Sequence, residues 1–155
     1  MSIFSGLLRL FGRGKSAPKD EWTVAAGEND GKPMIVRFRS NPPPGVEMAR
    51  YRFLMTVSWE YEPANKSGVP SEKDNVRMTD LENLLDHLES ERTAFLMAVL
   101  TYDGIRAWQW YSRNHEESIQ VLNTALSGHA RFPVEICQEE DPEWSAYFGF
   151  RNGGQ

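Results

Sequence analysis

The side chains able to do chemistry are few and scattered along the chain. The histidines are His87, His115 and His129, and none has another at a spacing that would let two imidazoles share a metal. A nucleophilic cysteine needs a thiolate and a base. The sole cysteine, Cys137, lies in a strand-like run followed by acids, which raise a thiol pKa, so it reads as a small apolar filler. Glu139, Glu140, Asp141 and Glu143 gather enough carboxylates for acid–base work, but at this position they read as the solvated end of a strand. Gly12-Arg13-Gly14-Lys15-Ser16 ends like a phosphate-binding loop, yet the glycine spacing is wrong and no strand precedes it. No catalytic, metal-binding or cofactor-binding residue is assigned on these grounds.

The remaining feature is aromatic. Arg106, Trp108 and Trp110 alternate along one strand and so share a face. If that face is open, the three residues form a patch for a partner protein, a second copy of the chain or stacked bases, the last least favoured by an acidic body. If helices or another part of the chain cover it, they are core. Arg106, Trp108 and Trp110 are therefore the candidate partner-binding residues, with their exposure as the deciding observation.

The elements that must position them are legible in the hydrophobic period. Trp22–Ala26 and Met34–Arg39 flank Glu28-Asn29-Asp30-Gly31, and Asp-Gly between strand-like runs predicts a hairpin. Asn41-Pro42-Pro43-Pro44-Gly45 then stops pairing, because proline has no N–H to donate. Residues 51–61 alternate strictly, with Tyr51, Phe53, Met55, Val57, Trp59 and Tyr61 on one side, which predicts a strand with one buried face. Residues 62–77 read as a long polar loop. Thr79 and Glu82 make a capping box for a helix with Met78, Leu81, Leu84, Leu85 and Leu88 as its apolar stripe and acids on its other face. Residues 94–102 are apolar on both faces, as a central strand is. Asp103-Gly104 turns the chain into a strand over 105–112. A second helix starts at Asn114, with Glu117 three residues on, and stops at Gly128. Phe132–Cys137 is the last strand, and Glu143–Phe150 is a short helix or coil.

From residue 51 the order is β-α-β-β-α-β. This is the order of a ferredoxin-like α+β sandwich, with right-handed crossovers placing both helices on one sheet face. The extra N-terminal hairpin extends the sheet or covers its free face. Domain organisation follows: residues 1–20 form an amphipathic tail and linker, 21–150 a single α+β domain, and 151–155 a disordered C-terminus.

Charge separates the tail from the body. Arg9, Arg13, Lys15 and Lys19 against Asp20 give residues 1–20 a balance of +3, so the total of −5 leaves −8 on residues 21–155. An acidic body disfavours nucleic acid as the main partner and suits a basic protein or plain solubility. Ile3, Phe4, Leu7, Leu8, Leu10 and Phe11 predict a short amphipathic helix that either docks on a membrane surface or partner, or packs on its own domain. No run approaches the ~20 apolar residues of a spanning helix. A lone thiol fits a reducing cytoplasm.

Several local motifs carry a family resemblance: Trp22 opening the domain, Gly68-Val69-Pro70 in the loop, Thr101-Tyr102-Asp103-Gly104-Ile105-Arg106 at the hairpin, and Asp141-Pro142-Glu143-Trp144-Ser145-Ala146-Tyr147 near the end. Asp-Pro-x-Trp-x-x-Tyr is the most specific of them. Over residues 21–150 the chain resembles the bacterial group known as domain of unknown function 695. That group is itself distantly similar to the B-type regulators of ribonuclease E, which resemble ferredoxin-like domains and act by protein contact. The resemblance implies no catalytic residue. It leaves three readings: a non-enzymatic protein-binding or regulatory domain, an enzyme whose site is spread over the 62–77 loop and the 139–143 acids, or a membrane-surface protein using residues 3–13.

Overall fold

Two tight turns set the frame of the sheet. Asp30 and Gly31 have φ of 53° and 75°, and Asp103 and Gly104 have φ of 47° and 82°. Positive φ at both central positions matches the right-handed twist of the strands on either side. In the computed structural model, which describes residues 7–13 and 20–153, the first turn joins β2 (Trp22–Asn29) to β3 (Lys32–Arg39). The second joins β5 (Ala94–Tyr102) to β6 (Ile105–Ser112). With β1 (Leu7–Arg13), β4 (Phe53–Glu60) and β7 (Val134–Glu140) they make a seven-stranded sheet in the order β1-β2-β3-β5-β6-β4-β7. All pairings are antiparallel. The chain is α+β, and its N-terminal hairpin extends the sheet through β3–β5 pairing.

The N-terminal expectation needs correction. Residues 7–13 form strand β1 on the β2 edge instead of a helix. A helix of this sequence would contain Gly6 and Gly12, whereas a strand can use an available sheet edge for its backbone hydrogen bonds. Ile3 and Phe4, and the linker at 14–19, lie outside the described residues. The C-terminus also differs: α4 (Ser145–Gly153) carries helix through Arg151–Gly153, and residues 154–155 lie outside the description.

The helices cover both sheet faces. α1 (Glu72–Leu85), a short α2 (His87–Ser90) and α3 (His115–Leu126) lie on one face. Their stripe of Met78, Leu81, Leu85, Leu88 and Leu122 packs on Met55, Val57, Trp59, Trp108 and Trp110. α1 begins seven residues before Thr79, because Ser71 Oγ accepts from Asp74 N at 3.1 Å and caps it there. Thr79 is mid-helix, its hydroxyl donating back to Asn75 O at 3.0 Å. Asn114 caps α3 as expected, its Oδ1 accepting from Glu117 N at 2.9 Å.

The second face is closed by α4. Asp141 accepts from Ser145 N at 2.8 Å and Ala146 N at 3.0 Å, and from the Tyr111 hydroxyl at 2.6 Å. Trp144 stacks on Tyr111 with centroids 4.4 Å apart and donates from Nε1 to Tyr51 O at 2.8 Å. Tyr147 donates from its hydroxyl to Arg39 O at 2.7 Å. The Asp-Pro-x-Trp-x-x-Tyr motif is therefore the fastening of a helix over the sheet. β5 changes phase beneath it: Leu96 pairs with Trp110 and Ala98 with Gln109, leaving Met97 as a bulge. The bulge keeps Phe95, Met97, Ala98 and Leu100 on the α4 side and returns Val99 to the α1–α3 side.

Candidate functional site

The three aromatic-face candidates do not form an exposed patch. Trp108 and Trp110 are each 1% exposed, under α1 and α3. The reason is register: even-numbered positions of β6 point to the face that the right-handed crossovers cover. Trp108 Nε1 donates to Glu82 Oε1 at 2.9 Å. Arg106 is half-buried and tied down, with Nε donating to Thr101 Oγ1 and a terminal nitrogen to Asn75 Oδ1, both at 2.9 Å. Burial lowers its guanidinium pKa from the usual range. Trp110 Nε1 is buried with no hydrogen-bond partner.

Around these residues the odd positions of β3 meet the acidic side of α1 and α2. Arg37 pairs with Glu82 at 2.7 Å, and Arg39 pairs with Asp20 and Glu89, each at 2.7 Å. The Trp22 ring lies 5.0 Å from the Arg37 guanidinium and 5.2 Å from that of Arg39. β3 and β5 stop pairing at Phe38–Ala98, which leaves the Leu96 backbone without a strand partner on that side. Two side chains take the place of the strand. Arg39 Nε donates to Leu96 O at 2.8 Å, and Leu96 N donates to Glu89 Oε2 at 3.0 Å. Burial raises the Glu89 pKa, against the opposing pull of Arg39. These groups surround a hollow of about 250 Å³, whose inner wall is Leu96 and Trp110.

On the other side of α1 the helical layer opens into a larger groove. A concavity of about 660 Å³ runs between the α1–α2 junction and α3. Half-buried Leu84, Val121 and Ala125 form its floor, and His87, Glu91 and His129 stand on its rim. An adjoining hollow of about 410 Å³ shares Leu84 and His129 and ends on Arg77 and Phe132. His87 and His129, unrelated in sequence, thus face one groove. Among the described residues no three metal-ligating side chains converge.

The other candidates separate in space. Cys137 is exposed and not an apolar filler, because β7 is an edge strand and its odd positions face solvent. Glu139 and Glu140 pair with Leu54 and Phe53 at the start of β4, while the 62–70 segment follows its end. Eight residues of strand put roughly 26 Å between them. Within that segment Gly68 O accepts from the Tyr61 hydroxyl, and Ala64 N donates to Val69 O at 3.0 Å. Among the described residues, no helix is long and apolar enough to cross a membrane.

The family model described as "Family of unknown function (DUF695)" matches residues 20–151, and the chain belongs to that family. Neither a curated protein nor a solved structure matches it significantly. The matched span runs from Asp20, partner of Arg39, to Arg151, which donates from Nε to Ser40 O at 2.8 Å.

Proposed function

We propose that this member of the DUF695 family is a protein-binding domain, and that the groove between the α1–α2 junction and α3 receives a basic amphipathic segment of a partner protein. One observation carries the reading. A concave strip floored by Leu84, Val121 and Ala125 is set in a strongly acidic helical layer. Across residues 72–91 and α3 there are nine carboxylates against Lys73 and Arg77. Apolar anchors at i, i+3 and i+4 of a partner helix would fill the floor, and its cations would face Glu91 on the rim and Asp80 in the adjoining hollow, within the negative field of the layer. Two helix C-termini add negative potential, since neither α1 nor α3 carries a basic residue in its last turn.

The scaffold supports the same reading. Residues 51–138 have the strand order β5-β6-β4-β7, in which β6 lies between the two strands joined through α1. We read this order as a split βαβ arrangement of the ferredoxin-like kind. The Asp141 carboxylate is engaged as a helix cap, and Glu139 and Glu140 stand at the opposite end of β4 from the 62–70 segment, which weakens an enzyme built on the two together.

The test is a peptide-display selection on the folded domain, with counter-selection on Ala125→Trp, which fills the groove from a half-buried position. The expected result is enrichment of helical peptides combining Lys or Arg with a spaced apolar face. Their affinity should fall at least about tenfold in the variant and weaken with salt. Enrichment of acidic peptides, or equal binding to both proteins, overturns the reading.

A further inference from the structure

We propose that the free edge of β7 takes an extended segment of another protein as a further strand, and that this segment alternates basic with apolar residues. The edge is a separate surface from the groove and does not depend on it.

The backbone of β7 is only half used. The strand has β4 on one side and no strand on the other. Asp141 N donates to Arg52 O at 2.7 Å, which continues the β4–β7 ladder by one residue. Antiparallel strands turn the N–H and C=O of successive residues to opposite sides. Residues 135, 137 and 139 therefore face β4 with Asp141, while Ile136, Gln138 and Glu140 present both groups outward. Natural edges are commonly blunted by a bulge, a proline or a lysine. β7 has none of these: its register with β4 is unbroken, and Val134–Glu140 holds no proline or lysine. The opposite edge, β1, is broken by a bulge between Leu10 and Gly12.

The side chains decide what can pair there. Glu135, Cys137 and Glu139 lie exposed on one sheet face, and neither Glu135 nor Glu139 has an ion pair or side-chain hydrogen bond among the described residues. Val134 and Ile136 lie on the other face, half-buried at the margin of the core that contains Met55, Val57 and Trp59. A second copy fits badly. The antiparallel register that pairs all of Val134–Glu140 with itself sets Glu135 opposite Glu139 twice, and like charges directly opposite are destabilising. A strand with Lys or Arg at alternate positions reverses that sign. Its cations stand opposite Glu135 and Glu139, and its apolar residues extend the core past Val134 and Ile136. Charge complementarity selects this occupant over a copy of the chain. Main-chain bonds to Ile136, Gln138 and Glu140 give the affinity, and the alternation of side chains gives the specificity.

The experiment is a titration of ¹⁵N-labelled full-length chain with the capped peptide acetyl-Lys-Val-Lys-Val-Lys-Val-amide, followed at the amides of Ile136, Gln138 and Glu140. Those three signals are expected to move saturably, with a Kd below about 1 mM, and their hydrogen exchange to slow. In antiparallel pairing the valines stand opposite Ile136 and Gln138 and supply the N–H groups, so N-methylation of the valines should weaken binding about tenfold or more. The same peptide with Glu for Lys should bind as weakly. The double variant Glu135→Lys with Glu139→Lys, at two exposed positions, should reverse that preference and bind the Glu peptide. Ala125→Trp, which fills the groove, should bind as wild type does. Four results overturn the proposal: the three amides do not respond; the N-methylated peptide binds equally well; the charge-reversed chain still prefers the Lys peptide; or Ala125→Trp abolishes binding, which would place the peptide in the groove.

Discussion

Arg39 and Leu96 lie 57 residues apart, and the Arg39 guanidinium donates to the Leu96 carbonyl where strand pairing has ended. With Glu89 on the neighbouring N–H, the ion pair completes a ladder that β3 leaves unfinished. Burying charges is costly in general, and a buried pair is retained most readily when its hydrogen bonds satisfy other groups. Here it satisfies two backbone groups beside the Met97 bulge.

Removing one partner should therefore be worse than weakening both. Arg39→Ala leaves Glu89 Oε1 and the Leu96 carbonyl unpaired and should cost about 3 kcal/mol in urea denaturation. Glu89→Gln keeps an acceptor for Leu96 N and should cost about 1 kcal/mol. The double variant should cost less than the two single losses added together. Additive losses would mean that the two side chains act separately.

Helix α1 offers a sharper contrast. Ser71 Oγ caps it, whereas Thr79 only back-bonds within it. Ser71→Ala should lower stability by about 1 kcal/mol. Thr79→Ala, at an exposed mid-helix position, should be neutral or slightly stabilising. Thermal unfolding of the two variants checks this, and the reverse ranking would return the helix start to Thr79.

That contrast shows what the sequence could and could not say. Asp30-Gly31 and Asp103-Gly104 were legible because a two-residue turn has few solutions. The strand at 51–61 was legible because alternation leaves no other period. Ser71-x-x-Asp74 is also a capping signal, but Thr79-x-x-Glu82 matches the reciprocal box better and masks it. The Met97 bulge leaves no trace in a run that is apolar on both faces. The hollow was invisible for a different reason. Its walls come from Asp20, Arg37, Glu82 and Trp110, which only the β3–β5 pairing and the α1 crossover bring together. Trp108 and Trp110 were found, but their face is decided by which side the crossovers cover.

Alkaline pH should expose the fastening of α4. Burial, reinforced by the Asp141 carboxylate, pushes the Tyr111 hydroxyl far above the ordinary tyrosine range. Burial also raises Tyr147, to about 12. Unfolded tyrosine ionises near 10. The unfolded chain thus releases these protons first, so the stability they support is complete below about pH 10 and is lost as pH rises towards the folded values. Each fully discriminating group contributes a slope of about −1.4 kcal/mol per pH unit. Tyr111→Phe should start less stable at pH 7, through loss of the Asp141 bond, and should show a shallower decline above pH 10. An unchanged slope in urea titrations at pH 9, 10 and 11 would sink this account.

The two Asp-Gly turns make the last comparison. Gly31 and Gly104 have φ of 75° and 82°, so alanine is strained at both. Their surroundings differ. A Cβ at Gly31 meets nothing within 4 Å, whereas at Gly104 it would stand 2.9 Å from Tyr61 O. That carbonyl belongs to backbone that is already fixed, because Tyr61 N donates to Gly104 O at 2.8 Å. Gly31→Ala should therefore cost about 1 kcal/mol, the conformational term alone. Gly104→Ala must add displacement of the Tyr61 backbone and should cost about 1–2 kcal/mol more. It should also raise amide exchange at Tyr61 and Gly68, whose carbonyl accepts from the Tyr61 hydroxyl. Equal losses at the two glycines would show that the contact with Tyr61 is relieved without cost.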